Sequence, residues 1–160
     1  MKKLFTSVTI AVVFALTLSI APVAATPPAD VTIVSDMHPV TGPIDPFDGT
    51  FVASGPAVDA GIICPSGGVD DISNPAVGWQ SHEMRIIILS VHKHFTCDDG
   101  SGSFEMNMRV RIAPTGITAQ WIIVGGDGPY SRLFGAGNLY AEWISENLLR
   151  DHYSGGLHIE

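Results

Sequence analysis

Ile122-Ile123-Val124-Gly125-Gly126-Asp127-Gly128-Pro129-Tyr130-Ser131-Arg132-Leu133-Phe134-Gly135-Ala136-Gly137-Asn138-Leu139-Tyr140 decides how this chain is read. The apolar run ahead of the glycines has strand character, and Pro129, Gly135 and Gly137 interrupt any helix after them. A glycine cluster cradles phosphate when a helix N-terminus follows it, and here neither that helix nor a Gly-Lys-Ser/Thr completes a nucleotide loop. The stretch therefore reads as a buried strand, a glycine-gated turn and a second strand. Its glycines, Gly125, Gly126, Gly128, Gly135 and Gly137, are expected to serve backbone geometry through positive φ rather than to bind a ligand. Tyr130 and Leu133 are expected to plug one end of a β structure.

The residues also resemble a known pattern. Gly125-Gly126-x-Gly128-x-Tyr130, with Gly135 five residues further on, is similar to the Gly-Gly-x-Gly-x-aromatic signature of the allene oxide cyclase and dirigent barrels, and of small secreted bacterial proteins in that superfamily. With the hairpin Asp98-Asp99-Gly100-Ser101-Gly102-Ser103, the likeness extends over roughly the last two thirds of the chain beyond its leader. It implies an eight-stranded antiparallel barrel around an apolar cavity, which those families use to fold a reactive intermediate. Their polar active-site residues match no positions here, so no catalytic residue is carried over.

Outward from the opening stretch, the pattern is all-β. Phe104, Met106, Met108, Val110 and Ile112 alternate with Glu105, Asn107, Arg109 and Arg111, one face buried and one wet. Strands are also expected at Val31–Asp36, Phe47–Gly55, Val58–Cys64, Ile86–Phe95, Ile117–Val124, Ala136–Glu142 and Tyr153–Ile159. Pro65–Gly78 reads as a long loop, and Trp143–Asp151 as a helical turn or surface loop. Eight short strands with regular turn signals predict a small antiparallel barrel, with a β-sandwich as the alternative. Cys64, Trp79 and Cys97 mimic the immunoglobulin order, but cysteines 33 residues apart are too close for its long inter-sheet span.

Met1–Ala25 reads as a secretory leader: Lys2 and Lys3, the apolar run Leu4–Ile20, and the small-residue site Val23-Ala24-Ala25. Residues 26–160 then form one domain, released to the outside, with no further anchor. The chain carries 8 Lys and Arg against 16 Asp and Glu, a net charge of −8, and losing Lys2 and Lys3 makes it more acidic. Such a surface repels nucleic acid and anionic membranes. In an oxidising compartment, Cys64 and Cys97 are expected to form a disulfide. That bond requires the segment Pro65–Ser81 to cross back along the barrel, since a plain hairpin would leave the cysteines at opposite ends.

Candidates for chemistry are few. His92 and His94 lie on one side of a strand, but a metal ion needs a third ligand, which His82 or Glu83 supplies only if the chain folds back. No metal or other cofactor is expected. Asp98–Gly102 reads as a polar turn rather than a calcium loop, and Asp70 and Asp71, as chain neighbours, do not face each other as an acid–base pair. No serine sits in a Gly-x-Ser-x-Gly elbow. Phe104, Met106, Met108 and Val110 form an apolar face that in a barrel becomes the lining of a small-ligand cavity. The chain is accordingly expected to be a secreted binding module for an apolar small molecule or a protein partner. The alternatives are an isomerase or cyclase steering a reactive ligand, and a structural protein with a filled interior. Oligomerisation is left open.

Overall fold

Period-two alternation over most of the chain builds one continuous antiparallel sheet. The computed structural model describes residues 27–40, 46–72, 76–81, 83 and 85–160. The expected leader Met1–Ala25 lies outside the described residues, as does His82. Among the described residues there are nine strands: β1 (Ala29–Pro39), β2 (Phe47–Ser54), β3 (Ser66–Asp71), β4 (Ala76–Ser81), β5 (Ile86–Cys97), β6 (Ser103–Ala113), β7 (Gly116–Gly126), β8 (Leu133–Ser145) and β9 (Leu148–Ile159). A single helical turn, α1 (Pro56–Asp59), lies between β2 and β3.

The sheet order is β3-β2-β1-β9-β8-β7-β6-β5-β4, and a further β3–β5 pairing closes eight of these strands into a barrel. The extra strand, β4, continues in the direction of β3 along the same edge of β5: β3 takes Lys93–Cys97 and β4 takes Ile86–Ser90. β3 and β4 thus run back along the barrel as two strands paired with β5. This places Cys64 beside Cys97, and the two are disulfide-bonded with Cα atoms 6.0 Å apart.

Three local expectations are corrected. Val58–Cys64 is not a strand, because Gly55 at φ 102° and Pro56 at the first helical position start α1 instead. Pro65–Gly78 is not a structureless loop, since it contains β3 and the start of β4. Trp143–Asp151 is neither helical turn nor loop, because β8 and β9 pair almost to the hairpin tip, to Ser145↔Leu148.

One end of the barrel is sealed by aromatic packing. Phe95 and Phe104 stack with centroids 4.8 Å apart, and Phe51 and Tyr153 meet Phe95 edge-on at 5.3 and 6.0 Å. Tyr130, on the 3₁₀ turn Gly128–Tyr130, packs on Phe104 at 6.0 Å. Leu133, like Tyr130, is buried.

The opening glycine stretch locks the two loops at this end together. Ser101 Oγ and Tyr130 O–H lie 2.9 Å apart, and the Ser103 N–H donates to Asp127 Oδ1. Of its glycines only Gly128 has positive φ, 53°, contrary to the expectation for the rest. Gly137 is required by close approach instead: a Cβ there would meet the Ser154 carbonyl and lie 2.5 Å from the Trp121 ring, which lies across Gly137 and its strand partner Gly155.

Candidate functional site

The other half of the barrel is hollow. A cavity of about 740 Å³ opens at the end where β6 meets β7 and β8 meets β9. Its walls are apolar, with Leu89 and Val91 of β5, Met108 and Val110 of β6 and Leu139 of β8. Ile87, Ile112, Ile117 and Leu149 ring the mouth beside Phe47 and Trp143, whose rings are 6.0 Å apart. Of the four residues expected to line a cavity, Met108 and Val110 do so. Phe104 and Met106 do not; both are fully buried and packed in the core.

The floor of the cavity is ionisable. Along β5, Leu89, Val91, Lys93, Phe95 and Cys97 all point inward by simple alternation, so Lys93 sits on the apolar face with only 4 % exposure. The same alternation turns Asp151 inward on β9, between the mouth and Tyr153, and Asp71 inward on β3 after Val69. Asp71 and Lys93 are direct cross-strand partners, with Nζ 3.0 Å from Asp71 Oδ1. Asp151 comes from the far side. β5 and β9 stand four strands apart in the ring of eight, so the Lys93 stem spans the lumen to bring Nζ within 3.6 Å of Asp151 Oδ2. The floor is completed by Tyr153, whose O–H donates to Asp151 Oδ2 at 3.0 Å, and by the Phe47 N–H, which donates to Asp71 Oδ2 at 3.1 Å. Ser35 is buried opposite Asp151 in the β1–β9 register.

Burial sets the electrostatics. Loss of water pushes the Asp151 carboxyl above the ordinary carboxylate range, with Lys93 pulling the other way, and burial followed by the Asp151 charge holds the Tyr153 phenol well above its usual value. A carboxyl with a raised folded value contributes stability that is fully present below its unfolded value and is lost as pH rises through the folded one. Stability should therefore decline across that window in the native protein, and Asp151→Asn should flatten the decline in urea unfolding followed as a function of pH. Asp36 works in the opposite sense. The Arg150 hydrogen bond at 2.6 Å holds it below the ordinary range, so its contribution is lost only as pH falls, and the exposed position of the pair keeps it small.

The histidines lie elsewhere. His92 and His94 flank Lys93 and by alternation face outward, where His92 Nε2 meets Glu105 Oε2 at 3.0 Å and His94 Nδ1 lies 3.9 Å from Asp70. The pair is thus divided between carboxylates on two different neighbouring strands. Among the described residues, no three His, Cys, Asp or Glu side chains converge where a metal ion could sit. The surroundings of Gly128 are equally unsuited to an anion, because the Ser101 carbonyl and the Asp127 carboxylate crowd the loop.

The sequence singles out neither Lys93 nor Asp151, and it presents Asp71 only as the chain neighbour of Asp70. The signal was available as a charged residue standing in phase with buried neighbours, as in Val91-x-Lys93-x-Phe95 and Asp151-x-Tyr153. No protein-family model and no curated protein matches the chain.

Proposed function

We propose that the protein binds an apolar small molecule, taken end-on into the hollow half of an exported barrel. The observation that carries this reading is the cavity of about 740 Å³, with apolar walls and polar groups at floor and rim among the described residues. Its size falls within the roughly 300–1,000 Å³ of small-molecule sites, and a few placed polar groups in an apolar pocket are the usual means of orienting a ligand. A barrel with a purely structural role gains nothing from a void, since an unfilled interior forfeits packing contacts. Export is supported by the leader pattern of Met1–Ala25 and by the Cys64–Cys97 disulfide. Among the described residues no helix is long and apolar enough to cross a membrane.

A neutral fluorophore such as N-phenyl-1-naphthylamine tests the reading. We expect saturable enhancement at one molecule per chain. Val110→Trp, which fills the cavity, should weaken binding by about tenfold or more while the melting temperature is kept. Saturable binding that survives Val110→Trp unchanged, or no saturable binding at all, would overturn it.

A second reading has one observation in its favour. The buried Lys93–Asp71–Asp151 cluster puts ionisable groups against the cavity, as an isomerase or cyclase would require. It is also the activity implied by the resemblance to the allene oxide cyclase and dirigent barrels. Mass spectrometry of ligands recovered from the purified protein separates the two: an unaltered ligand favours binding, and a converted isomer favours chemistry.

A further inference from the structure

The cavity floor carries more acceptors than donors. Two carboxylates offer four oxygens, each able to accept about two hydrogen bonds. Against them stand the Lys93 ammonium, the Tyr153 O–H and the Phe47 N–H. Asp71 Oδ1, fully buried and 3.0 Å from Lys93 Nζ, still accepts no directed hydrogen bond. Charge points the same way. Among the described residues, the ionisable side chains lining the cavity are Asp71, Asp151 and Glu146 against Lys93, in a chain whose net charge is −8. In so apolar a tube these charges are weakly screened, and a negatively charged head group entering it would lose its hydration to meet further negative charge.

Resting on the binding reading above, we propose that the ligand of this cavity is an apolar molecule whose head is a hydrogen-bond donor without negative charge, a hydroxyl or a protonated amine, and that carboxylate-headed chains such as fatty acids are turned away. The apolar walls take the chain, and the head reaches the floor, where the donor meets carboxylate oxygen and the Lys93 N–H groups supply a donor to a hydroxyl oxygen. Lys93 cannot serve as the counter-ion for a ligand carboxylate, because Asp71 and Asp151 already compete for it from both sides of the barrel.

The test is displacement of N-phenyl-1-naphthylamine at neutral pH by dodecanol, dodecylamine and dodecanoate, three heads on one chain. The alcohol and the amine should each displace the probe at a concentration about tenfold or more below that needed for the carboxylate. Asp71→Asn and Asp151→Asn, made singly so that one folded variant suffices, should narrow that gap by removing negative charge. Equal or tighter binding of dodecanoate by the native protein overturns the proposal while leaving the binding reading intact. A gap that neither Asn variant narrows also overturns it, since the floor would then not be the selector. Failure of the probe itself to bind saturably removes both.

Discussion

Lys93→Met is expected to destabilise the protein by about 3–5 kcal/mol, the cost of leaving buried charge without its partner. The side chains of Lys93, Asp71 and Asp151 are 5 %, 2 % and 5 % exposed, so neither carboxylate can turn to bulk water when the ammonium is removed. The loss should appear as a lower urea midpoint with an unchanged slope. It should be smaller at low pH, where protonation of Asp151, whose carboxyl burial holds above the ordinary carboxylate range, removes unpaired charge. The informative companion is the triple replacement Lys93→Met, Asp71→Leu, Asp151→Leu. Buried ion clusters exchanged whole for apolar residues are often neutral or stabilising by about 1–4 kcal/mol. A triple variant that regains native stability, yet no longer distinguishes dodecanol from dodecanoate, would place the cluster in the service of the ligand rather than of the fold. A Lys93→Met variant as stable as the native protein would mean that the floor is not buried as described.

The fold was legible where alternation is uninterrupted. β6 and the first half of β7 read directly from their sequences because inward apolar positions alternate with polar outward ones, such as Asn107, Arg109 and Arg111 on β6 and Thr118 and Gln120 on β7. It was illegible where a residue's local preference and its tertiary role disagree. Ser66-Gly67-Gly68 looks like loop, yet Gly67 sits in β3 because a Cβ there would collide with the Thr96 carbonyl and lie 2.7 Å from the Phe51 ring. Local propensity registers the glycine, and only the closed barrel supplies the neighbour that requires it. Pro56 worked in the other direction, ending an apparently continuous β run by opening α1.

The candidate site was half visible. Met108 and Val110 were found from their own strand, but which stretch of the lumen is hollow depends on side chains from the facing strands. The ionisable floor carries no motif of its own in the sequence, whereas His92 and His94, the residues with recognisable chemistry, face outward. The residue between them faces in. Lys93, Asp71 and Asp151 lie far apart in the chain, and only the closure of β3 on β5 and the ring order that sets β9 opposite β5 bring them together.

That closure leads to the second large effect, expected on reduction of Cys64–Cys97. The bond links residues 33 apart, and a loop of that length predicts a loss of about 3–4 kcal/mol, roughly 10 °C in melting temperature for a domain of this size. Its position matters as much as its loop. β3 is the shortest strand of the ring and meets β5 over Gly67–Asp71 only. The disulfide sits beside the first of those pairs, Gly67↔Cys97, and the Asp71–Lys93 ion pair is the last, so the seam that closes the barrel is pinned covalently at one end and electrostatically at the other. Two pins on one short seam should not act independently. Once either is lost and β3 lifts from β5, less remains for the other to stabilise. Calorimetry of the native protein and of Lys93→Met, each oxidised and reduced, forms the cycle. The combined loss should fall short of the sum of the single losses by more than the roughly 0.3–0.5 kcal/mol that separates independent sites. Hydrogen exchange should locate the change, with amides of Gly67–Asp71 losing protection on reduction before those of β6–β8. Simple additivity, or uniform loss of protection around the ring, would show that the seam does not open as a unit.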